Sequence, residues 1–566
     1  MSENDNQWAW FSEEEAIPAL LRPEPSNSKS DPVGLRLDIM PLDAAKTPAG
    51  SASLGKAVAL HLEGKTDAAL KELLSAIEGG ENLAELHSAT GHIQFELQQF
   101  AEAAKSYAKA AQADPKHKTA SYNQGVCLER SERFKEAVEA FQRALEIDPK
   151  RLEAKLGQGI CLLHTGAPEK ALEAFEQCLK AKPDLEAAQF GKAVALHLAG
   201  KTDLAEALYR KLLARNPNSE ELLGNLVAVG IARKDSTVLK EFSERLFKIL
   251  PSSPAALEGL ATVAFSKNDF EAAHKHCTKL VEVAPNSFEG WFNLGVASQE
   301  LGRAEQAAKA YAQALKLRPE SAAAHANSGT LLQQQGDLAG ARKEHERALQ
   351  LSPDMTAAIW NLALVTERRG DMDDAEGLYS RLVKKHPEWE DAWFRLGYLR
   401  LQRSDYAGGV EAFDTCLKRR GDWVDAHLNL GLAYWKKGDA ASARKSFEKA
   451  LACDPKSIDA LRGLAALAME RQDLEQAFDM QSKLIDLGQH SPELFYNTGL
   501  LLQKSGLLED AVKHYRKALN EKPNIAEALL NLGHALKALG QEDEARTCWR
   551  KALESNPDLA ASYFAG

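Results

Sequence analysis

Eight asparagines with a common spacing are the most regular set of polar side chains in the sequence. They lie 34 residues apart, or multiples of 34. They are Asn123, Asn225, Asn293, Asn327, Asn361, Asn429, Asn497 and Asn531. A side-chain amide offers both a donor and an acceptor, so a row of them can pair with the backbone of an extended peptide whatever its sequence. The pattern predicts peptide-binding residues if all eight amides face one surface.

A short cluster at residues 274–277, HKHC, holds residue types that bind metal ions. His274 and His276 are two positions apart, however, and residues two apart on a helix point in different directions. The sequence shows no second group of ligands with the spacing of a zinc site. We therefore expect no metal site and no cofactor.

The remaining reactive side chains also favour a structural interpretation. Cys127, Cys161, Cys178 and Cys416 occur at helix-packing positions, where buried and unreactive thiols are expected. The paired glycines of GQGICLLHTG, residues 157–166, follow no predicted strand, which argues against a phosphate-binding loop. No acid, base and nucleophile can be named as a set. We predict that the chain is not an enzyme and has no catalytic residue.

The spacing of the asparagines is shared by the prolines, which define a repeat. Prolines that lie on one 34-residue grid are Pro115, Pro149, Pro183, Pro217, Pro251, Pro285, Pro319, Pro353, Pro387, Pro455, Pro523 and Pro557. With this proline at position 32, fifteen repeats fill residues 50–559, and the asparagines fall at position 6. A fixed period of this length is typical of solenoid proteins.

Other repeat positions predict what each unit is. Position 8 is almost always Gly or Ala, and position 20 is mostly Ala, which lets two helices approach closely. Position 15 is often Gly, where a left-handed residue would end the first helix. Position 24 is usually aromatic and would fill the space between hairpins, and the proline ends the second helix. We predict an all-α fold of about fifteen 34-residue helical hairpins.

The repeat resembles the tetratricopeptide repeat (TPR) family. The unit FEGWFNLGVASQELGRAEQAAKAYAQALKLRPES, residues 288–321, matches the family pattern at Trp291, Leu294, Gly295, Ala307, Tyr311, Ala314 and Pro319. The resemblance implies a right-handed superhelix, with position 6 on its concave inner face. The long run of units also resembles the TPR region of O-linked N-acetylglucosamine transferases, whose asparagines hold peptide. No transferase domain is seen, so no activity carries over. Asparagine is also simply common at position 6 of the family.

Charge narrows the range of partners. The chain has 70 basic and 81 acidic residues and a formal net charge of −11, which does not favour nucleic acid. Position 2 is acidic in nine repeats, which would favour peptides with basic residues, although acidic residues also stabilise the first turn of a helix. We find no signal peptide and no apolar run long enough to span a membrane, and expect a cytoplasmic protein without membrane insertion.

Three regions depart from the regular repeat. Residues 1–49 hold six prolines, nine acidic and four basic residues, and we predict a disordered arm that binds its own solenoid or a partner. Residues 560–566 form a short tail that caps the last repeat weakly, so this end could self-associate. Residues 220–253 have Val227 and Leu239 at the small-residue positions and Ser243 in place of a ring. We predict a weak joint there.

Two functions follow from these patterns. The first is a non-enzymatic scaffold that binds extended peptide segments in a concave groove. The alternative is a subunit that recruits substrate for a separately encoded enzyme, such as a glycosyltransferase.

Overall fold

The computed structural model describes Asp38, Met40, residues 52–81 and residues 83–560. In this part of the chain the regular elements are thirty α-helices and one short 3₁₀ helix. The chain divides into two compact units, with the division between Asn327 and Ser328 inside a helix. The predicted all-α fold of about fifteen hairpins is confirmed.

The helices of the first unit pair into hairpins in chain order, each odd-numbered helix with the next. They are α1 (Ala52–Leu62), α2 (Thr66–Glu78), α3 (Ala84–Glu96), α4 (Phe100–Ala113), α5 (Ala120–Arg130), α6 (Phe134–Ile147), α7 (Leu152–His164), α8 (Pro168–Ala181), α9 (Glu186–Leu198), α10 (Thr202–Leu213), α11 (Glu220–Ala232), α12 (Ser236–Ile249), α13 (Pro254–Ser266), α14 (Phe270–Val283), α15 (Phe288–Glu300) and α16 (Ala304–Leu317). The helix that contains the division is α17 (Ala322–Gln334).

The second unit continues the same pattern. Its further helices are α18 (Leu338–Leu351), α19 (Thr356–Arg369), α20 (Met372–Lys385), α21 (Glu390–Gln402), α22 (Tyr406–Leu417), α23 (Val424–Lys437), α24 (Ala440–Cys453), α25 (Ile458–Glu470), α26 (Leu474–Asp486), α27 (Pro492–Lys504), α28 (Leu508–Glu521), α29 (Ala526–Ala538) and α30 (Glu542–Ser555). The 3₁₀ helix is Pro557–Leu559. None of the described helices is long and apolar enough to cross a membrane.

A glycine at position 8 makes room for the ring at position 24 of the same hairpin. A Cβ atom added to Gly125 would lie 2.7 Å from the ring of Phe141, and one added to Gly295 would lie 2.5 Å from the ring of Tyr311. The ring also reaches position 6 of the next hairpin, because a Cβ atom on Gly191 would lie 2.5 Å from Phe175. Position 6 is therefore a packing position.

Every described repeat has a residue with positive φ at position 15, directly after its first helix. Nine of these residues are glycines, and six are other residues with φ between +53° and +65°. The six are Gln98, Glu132, Lys234, Asn268, Ser404 and Gln472. The predicted left-handed end of the first helix is thus confirmed even where the sequence lacks the glycine that would adopt it without strain.

First helices of neighbouring hairpins contact one another within the first unit. Such contacts join α5 with α7, α7 with α9, and α11 with α13. Second helices of neighbouring hairpins make no comparable contact with each other in the described part of this unit, and in a stacked array the helices that do make such contacts lie on its inner side. The first helices are therefore the elements that can line a groove.

The regions outside the regular repeat have mixed outcomes. The predicted arm and the tail lie outside the described residues, except for Asp38, Met40 and Ala560. In the hairpin at 220–253, Val227 and Leu239 are buried, and the buried Ser243 hydroxyl and Asn225 Oδ1 have no hydrogen-bond partner in the part of the chain that is described. Such groups cost stability, but the weak joint stays a prediction.

Candidate peptide-binding site

The first turn of α5 presents two adjacent polar side chains, Tyr122 and Asn123. The helix begins at Ala120, after Pro115 and the end of α4 at Ala113. Tyr122 is 2% exposed, and its ring centroid lies 5.8 Å from that of Phe141. The Arg151 guanidinium lies 5.8 Å from the Tyr122 centroid on the other side and donates to the Lys118 carbonyl. The tyrosine is therefore held in one orientation by packing.

Asn123 pairs with the backbone of Met40 through both ends of its amide. Its Oδ1 accepts from the Met40 N–H at 2.8 Å, and its Nδ2 donates to the Met40 carbonyl oxygen at 3.0 Å. This is the two-way pairing that an amide can offer to any peptide unit, because it uses no side-chain atom of the bound residue. The contact spans 83 positions of sequence.

Tyr122 adds a third backbone contact two residues earlier. Its hydroxyl donates to the Asp38 carbonyl oxygen at 3.1 Å. Burial and the nearby Glu153 carboxylate raise the pKa of this hydroxyl, so it remains a donor. Backbone groups at residues 38 and 40 thus face the same helix, as alternate residues of an extended segment do. Tyr122 and Asn123 together are named the arm site, and Asp38 and Met40 are the residues bound there.

The side chains of the two bound residues have different surroundings. Met40 is half-buried and packs against the apolar core that runs from Ala103 to Val263. Asp38 is exposed. The arm site therefore binds the backbone of both Asp38 and Met40, and contacts an apolar side chain only at Met40.

The other seven asparagines are not equivalent. Asn225, Asn327 and Asn361 are almost fully buried, and each has one amide atom with no hydrogen-bond partner among the described residues. Asn293, Asn429, Asn497 and Asn531 are half-buried. Asn361 donates to the Thr330 hydroxyl at 3.1 Å, and Asn429 donates to the Asp425 carbonyl at 2.8 Å. Their role as peptide ligands remains a prediction.

Some of the acidic residues at position 2 are neutralised within the solenoid. Glu289 lies 3.1 Å from Arg318, and Asp459 lies 3.6 Å from Arg462. Glu153, beside Tyr122, is exposed. A preference for basic peptides would therefore depend on a subset of the acidic residues.

Family models for repeats match most of the chain. Models described as tetratricopeptide repeat match residues 89–151, 292–356, 394–458 and 428–492, residues 128–190, 162–230 and 332–396, and residues 526–559. A further model, described as TPR repeat, matches residues 504–540. The chain belongs to the tetratricopeptide repeat family. TPR proteins serve as scaffolds that bind proteins or peptides, and they are typically not catalytic. The models that match describe no catalytic domain.

Solved structures of other TPR proteins are similar to this chain. One is YrrB, described as a TPR protein with an unusual peptide-binding site, with 20% identity, 34% of this chain and 98% of that chain covered, and a TM-score of 0.32. Another is the Cut9–Hcn1 hetero-tetramer, with 16% identity, coverages of 85% and 95%, and a TM-score of 0.34. A third is MamA, with 26% identity, coverages of 29% and 97%, and a TM-score of 0.27. No curated protein matches the chain.

The HKHC cluster lies on the second helix of a TPR hairpin, α14, and its members point apart. His274 Nε2 lies 3.0 Å from Gln306 Oε1, while the His276 ring packs edge-on to Phe247 with centroids 6.1 Å apart. Cys277 is fully buried. Among the described residues no group of three or more His, Cys, Asp or Glu could hold a metal ion.

The cysteines at the TPR packing positions are buried, as predicted. Burial raises the pKa of the Cys127 and Cys416 thiols to about 12, and that of Cys178 to about 11. A thiol with so high a pKa has almost no thiolate at neutral pH and is a poor nucleophile. The paired glycines of GQGICLLHTG, Gly157 and Gly159, lie within α7, where Gly159 makes room for the ring of Phe175.

Sequence reasoning identified Asn123 but missed Tyr122 and both residues bound at the arm site. Tyr122 stands at position 5, which holds varied residues in this TPR array, and Asp38 and Met40 lie outside the repeats. The one available signal was the dipeptide Tyr-Asn at positions 5 and 6. It occurs twice, at 122–123 and at 496–497.

Proposed function

We propose that this protein is a non-enzymatic scaffold whose first helices bind extended peptide segments through their backbone. The observation that supports this most strongly is the pairing of both ends of the Asn123 amide with the Met40 peptide group. It is the interaction predicted for all eight asparagines, made by a segment of the chain that lies outside the repeats. The remaining asparagines would bind the backbone of a peptide in the same way, one in each of their repeats.

Buried and half-buried asparagines make different contributions to this function. Replacing Asn225, Asn327 or Asn361 would disturb packing between hairpins as well as binding, because these side chains are almost fully buried. Asn293, Asn429, Asn497 and Asn531 are more accessible. Alanine at these four positions tests binding with less risk to folding.

The test is a pull-down of the full chain after chemical cross-linking in cells, followed by affinity measurement with the partner peptide that is identified. We expect replacement of the four half-buried asparagines by alanine to weaken that peptide, by about 1 kcal/mol for each hydrogen bond lost. Asn520→Ala is the matched control, because Asn520 is exposed on the second helix α28. Equal affinity of all three chains would contradict the proposal.

The same pull-down separates the two predicted roles. A free scaffold should recover peptides or assemblies without a constant catalytic partner. A substrate-recruiting subunit should recover one enzyme in fixed proportion, and a glycosyltransferase would match the resemblance drawn from the sequence. The exposed acidic residues at position 2 would favour partner peptides with basic side chains.

A further inference from the structure

The arm site is already filled by the chain itself. Tyr122 and Asn123 make three hydrogen bonds with the backbone of residues 38 and 40, which precede the first helix. Nothing in these contacts requires the bound segment to be covalently linked to the solenoid, since only backbone groups and one apolar side chain are used. The site is thus a peptide site with a resident ligand.

We propose that the segment containing Asp38 and Met40 is an internal competitor, and that a partner peptide enters the arm site only by displacing it. This inference rests on the proposed function, because it assumes that the groove also takes peptides from other proteins. The partner would be an extended segment with an unbranched or aliphatic apolar side chain at the place of Met40. The residue two positions earlier is free to vary, because Asp38 is bound through its carbonyl oxygen and its side chain is exposed.

The sequence of the segment suits this role. Met40 is followed by Pro41, and the residue before a proline is restricted to extended conformations. Less conformational freedom is therefore lost when Met40 binds. Methionine also adapts its shape to an irregular apolar surface more readily than a branched side chain does.

The covalent link determines how strongly the segment competes. A ligand on the same chain as its site has an effective concentration on the order of millimolar there. A free peptide then binds only to the fraction of molecules whose site is empty. If the isolated segment binds with a dissociation constant of about 100 μM, the tether lowers the apparent affinity of a competing peptide by about tenfold.

The probe is a fluorescein-labelled synthetic peptide of residues 34–44, GLRLDIMPLDA, added to the full chain. Met40→Pro in the chain removes the N–H that Asn123 Oδ1 accepts, and so releases the internal segment without altering any helix. We expect the labelled peptide to bind the Met40→Pro chain about tenfold more tightly than the native chain. Adding Asn123→Ala to the Met40→Pro chain should abolish the gain.

The matched control is Asp38→Ala, which changes an exposed side chain of the segment but keeps the carbonyl that Tyr122 binds. This variant should bind the labelled peptide as the native chain does. A Met40→Pro chain that binds no more tightly than the native chain, or not at all, would overturn the inference. So would a gain that depends on protein concentration, because the segment would then be exchanged between copies.

The peptide-binding experiment on the Met40→Pro chain and the pull-down can fail separately. If the asparagine variants lose their partner while Met40→Pro has no effect, the scaffold function stands and the internal competitor is rejected. If Met40→Pro raises affinity for the labelled peptide while the asparagine variants keep their cellular partner, only the wider asparagine row is rejected.

Discussion

The same two residues, Tyr-Asn, occupy positions 5 and 6 in α5 and again in α27, yet their hydrogen bonds differ. In α5 the Tyr122 hydroxyl donates to the Asp38 carbonyl. In α27 the Tyr496 hydroxyl accepts a hydrogen bond from Asn531 Nδ2 at 3.2 Å. Asn531 is at position 6 of the following hairpin, where the hairpin after α5 has Gly157. The residue in the next repeat therefore changes the surroundings of the tyrosine: the Tyr496 oxygen already accepts from an amide, whereas the residue opposite Tyr122 is a glycine.

The comparison shows that a repeat position does not have one function. The tyrosine at position 5 contacts a bound segment in one repeat and the neighbouring hairpin in the other, and residues 34 positions away differ between the two. A glycine at position 6 of the next hairpin places no side chain beside the tyrosine, whereas an asparagine there donates to its oxygen. The variants below change one Tyr-Asn pair and leave the other as it is, or compare both pairs with a third region.

The largest effect should come from filling the space behind each Tyr-Asn pair, the first at 122–123 and the second at 496–497. Gly125→Val places side-chain atoms where Phe141 lies, since a Cβ would be 2.7 Å from that ring, and should destabilise its hairpin by about 3 kcal/mol. Gly499→Val should do the same to the second pair, because a Cβ there would lie 2.8 Å from Tyr515.

Thermal unfolding and local hydrogen exchange measure the two changes separately. Gly125→Val should abolish binding of Met40 and leave α27 protected, whereas Gly499→Val should do the reverse. Loss of both regions in either variant would show that the repeats are coupled more widely than a solenoid with nearest-neighbour stability allows.

A third region, residues 220–253, should be weaker than either pair. Its buried Ser243 hydroxyl and Asn225 Oδ1, which have no hydrogen-bond partner among the described residues, should together cost about 2 kcal/mol. Amide exchange of α11 and α12 should then be about 30-fold faster than that of α13 and α14, a hairpin with no such group among its described side chains. Protection equal to that of these neighbours would remove the predicted weak joint.

Gly157→Asn should make the first pair resemble the second. The new side chain would lie beside the Tyr122 hydroxyl, and its Oδ1, unlike the Nδ2 that Asn531 uses toward Tyr496, would compete with the Asp38 carbonyl as the acceptor of the hydroxyl proton. Loss of one hydrogen bond of about 1 kcal/mol should weaken the labelled 34–44 peptide about fivefold on the Met40→Pro chain. Gly157→Ala is the control, because it lacks the amide. An equal loss in both variants would point to crowding instead.

Asn531→Gly should make the second pair resemble the first, with a smaller effect. The variant removes the amide that donates to the Tyr496 oxygen and opens space beside the hydroxyl, but glycine costs about 1 kcal/mol in the interior of α29. In a chain that also carries Asn123→Ala, binding of the labelled peptide should rise by a few-fold. Unchanged affinity for the labelled peptide would indicate that Tyr496 cannot hold a peptide without an apolar surface like the one that Met40 contacts.

The sequence predicted the hairpins because their determinants are local. The prolines at position 32, the left-handed residue at position 15 and the small residue at position 8 each act within one repeat. Even Lys234, with no glycine at position 15, adopts φ of +53° because both helices fix the turn. The eight asparagines were predicted from the same register, but burial of Asn225 and Asn361 was not.

Burial at position 6 could not be predicted because it depends on how closely the ring of the preceding hairpin packs against that side chain. The 34-residue spacing of the sequence gives no information on this distance. Met40 could not be predicted at all, because it belongs to no repeat and its contact with Asn123 spans 83 residues.

Exchange of the Met40 amide measures whether an asparagine at position 6 binds peptide backbone, because this N–H donates to Asn123 Oδ1. Hydrogen–deuterium exchange of the full chain, followed on a proteolytic fragment containing Met40, should show this amide protected in the native protein. Asn123→Ala removes both hydrogen bonds, or about 2 kcal/mol, and should raise its exchange rate about 30-fold. Asn497→Ala, the matched change at the second pair, should leave it unaltered. Exchange of Met40 at the same rate in the native and Asn123→Ala chains would contradict the account.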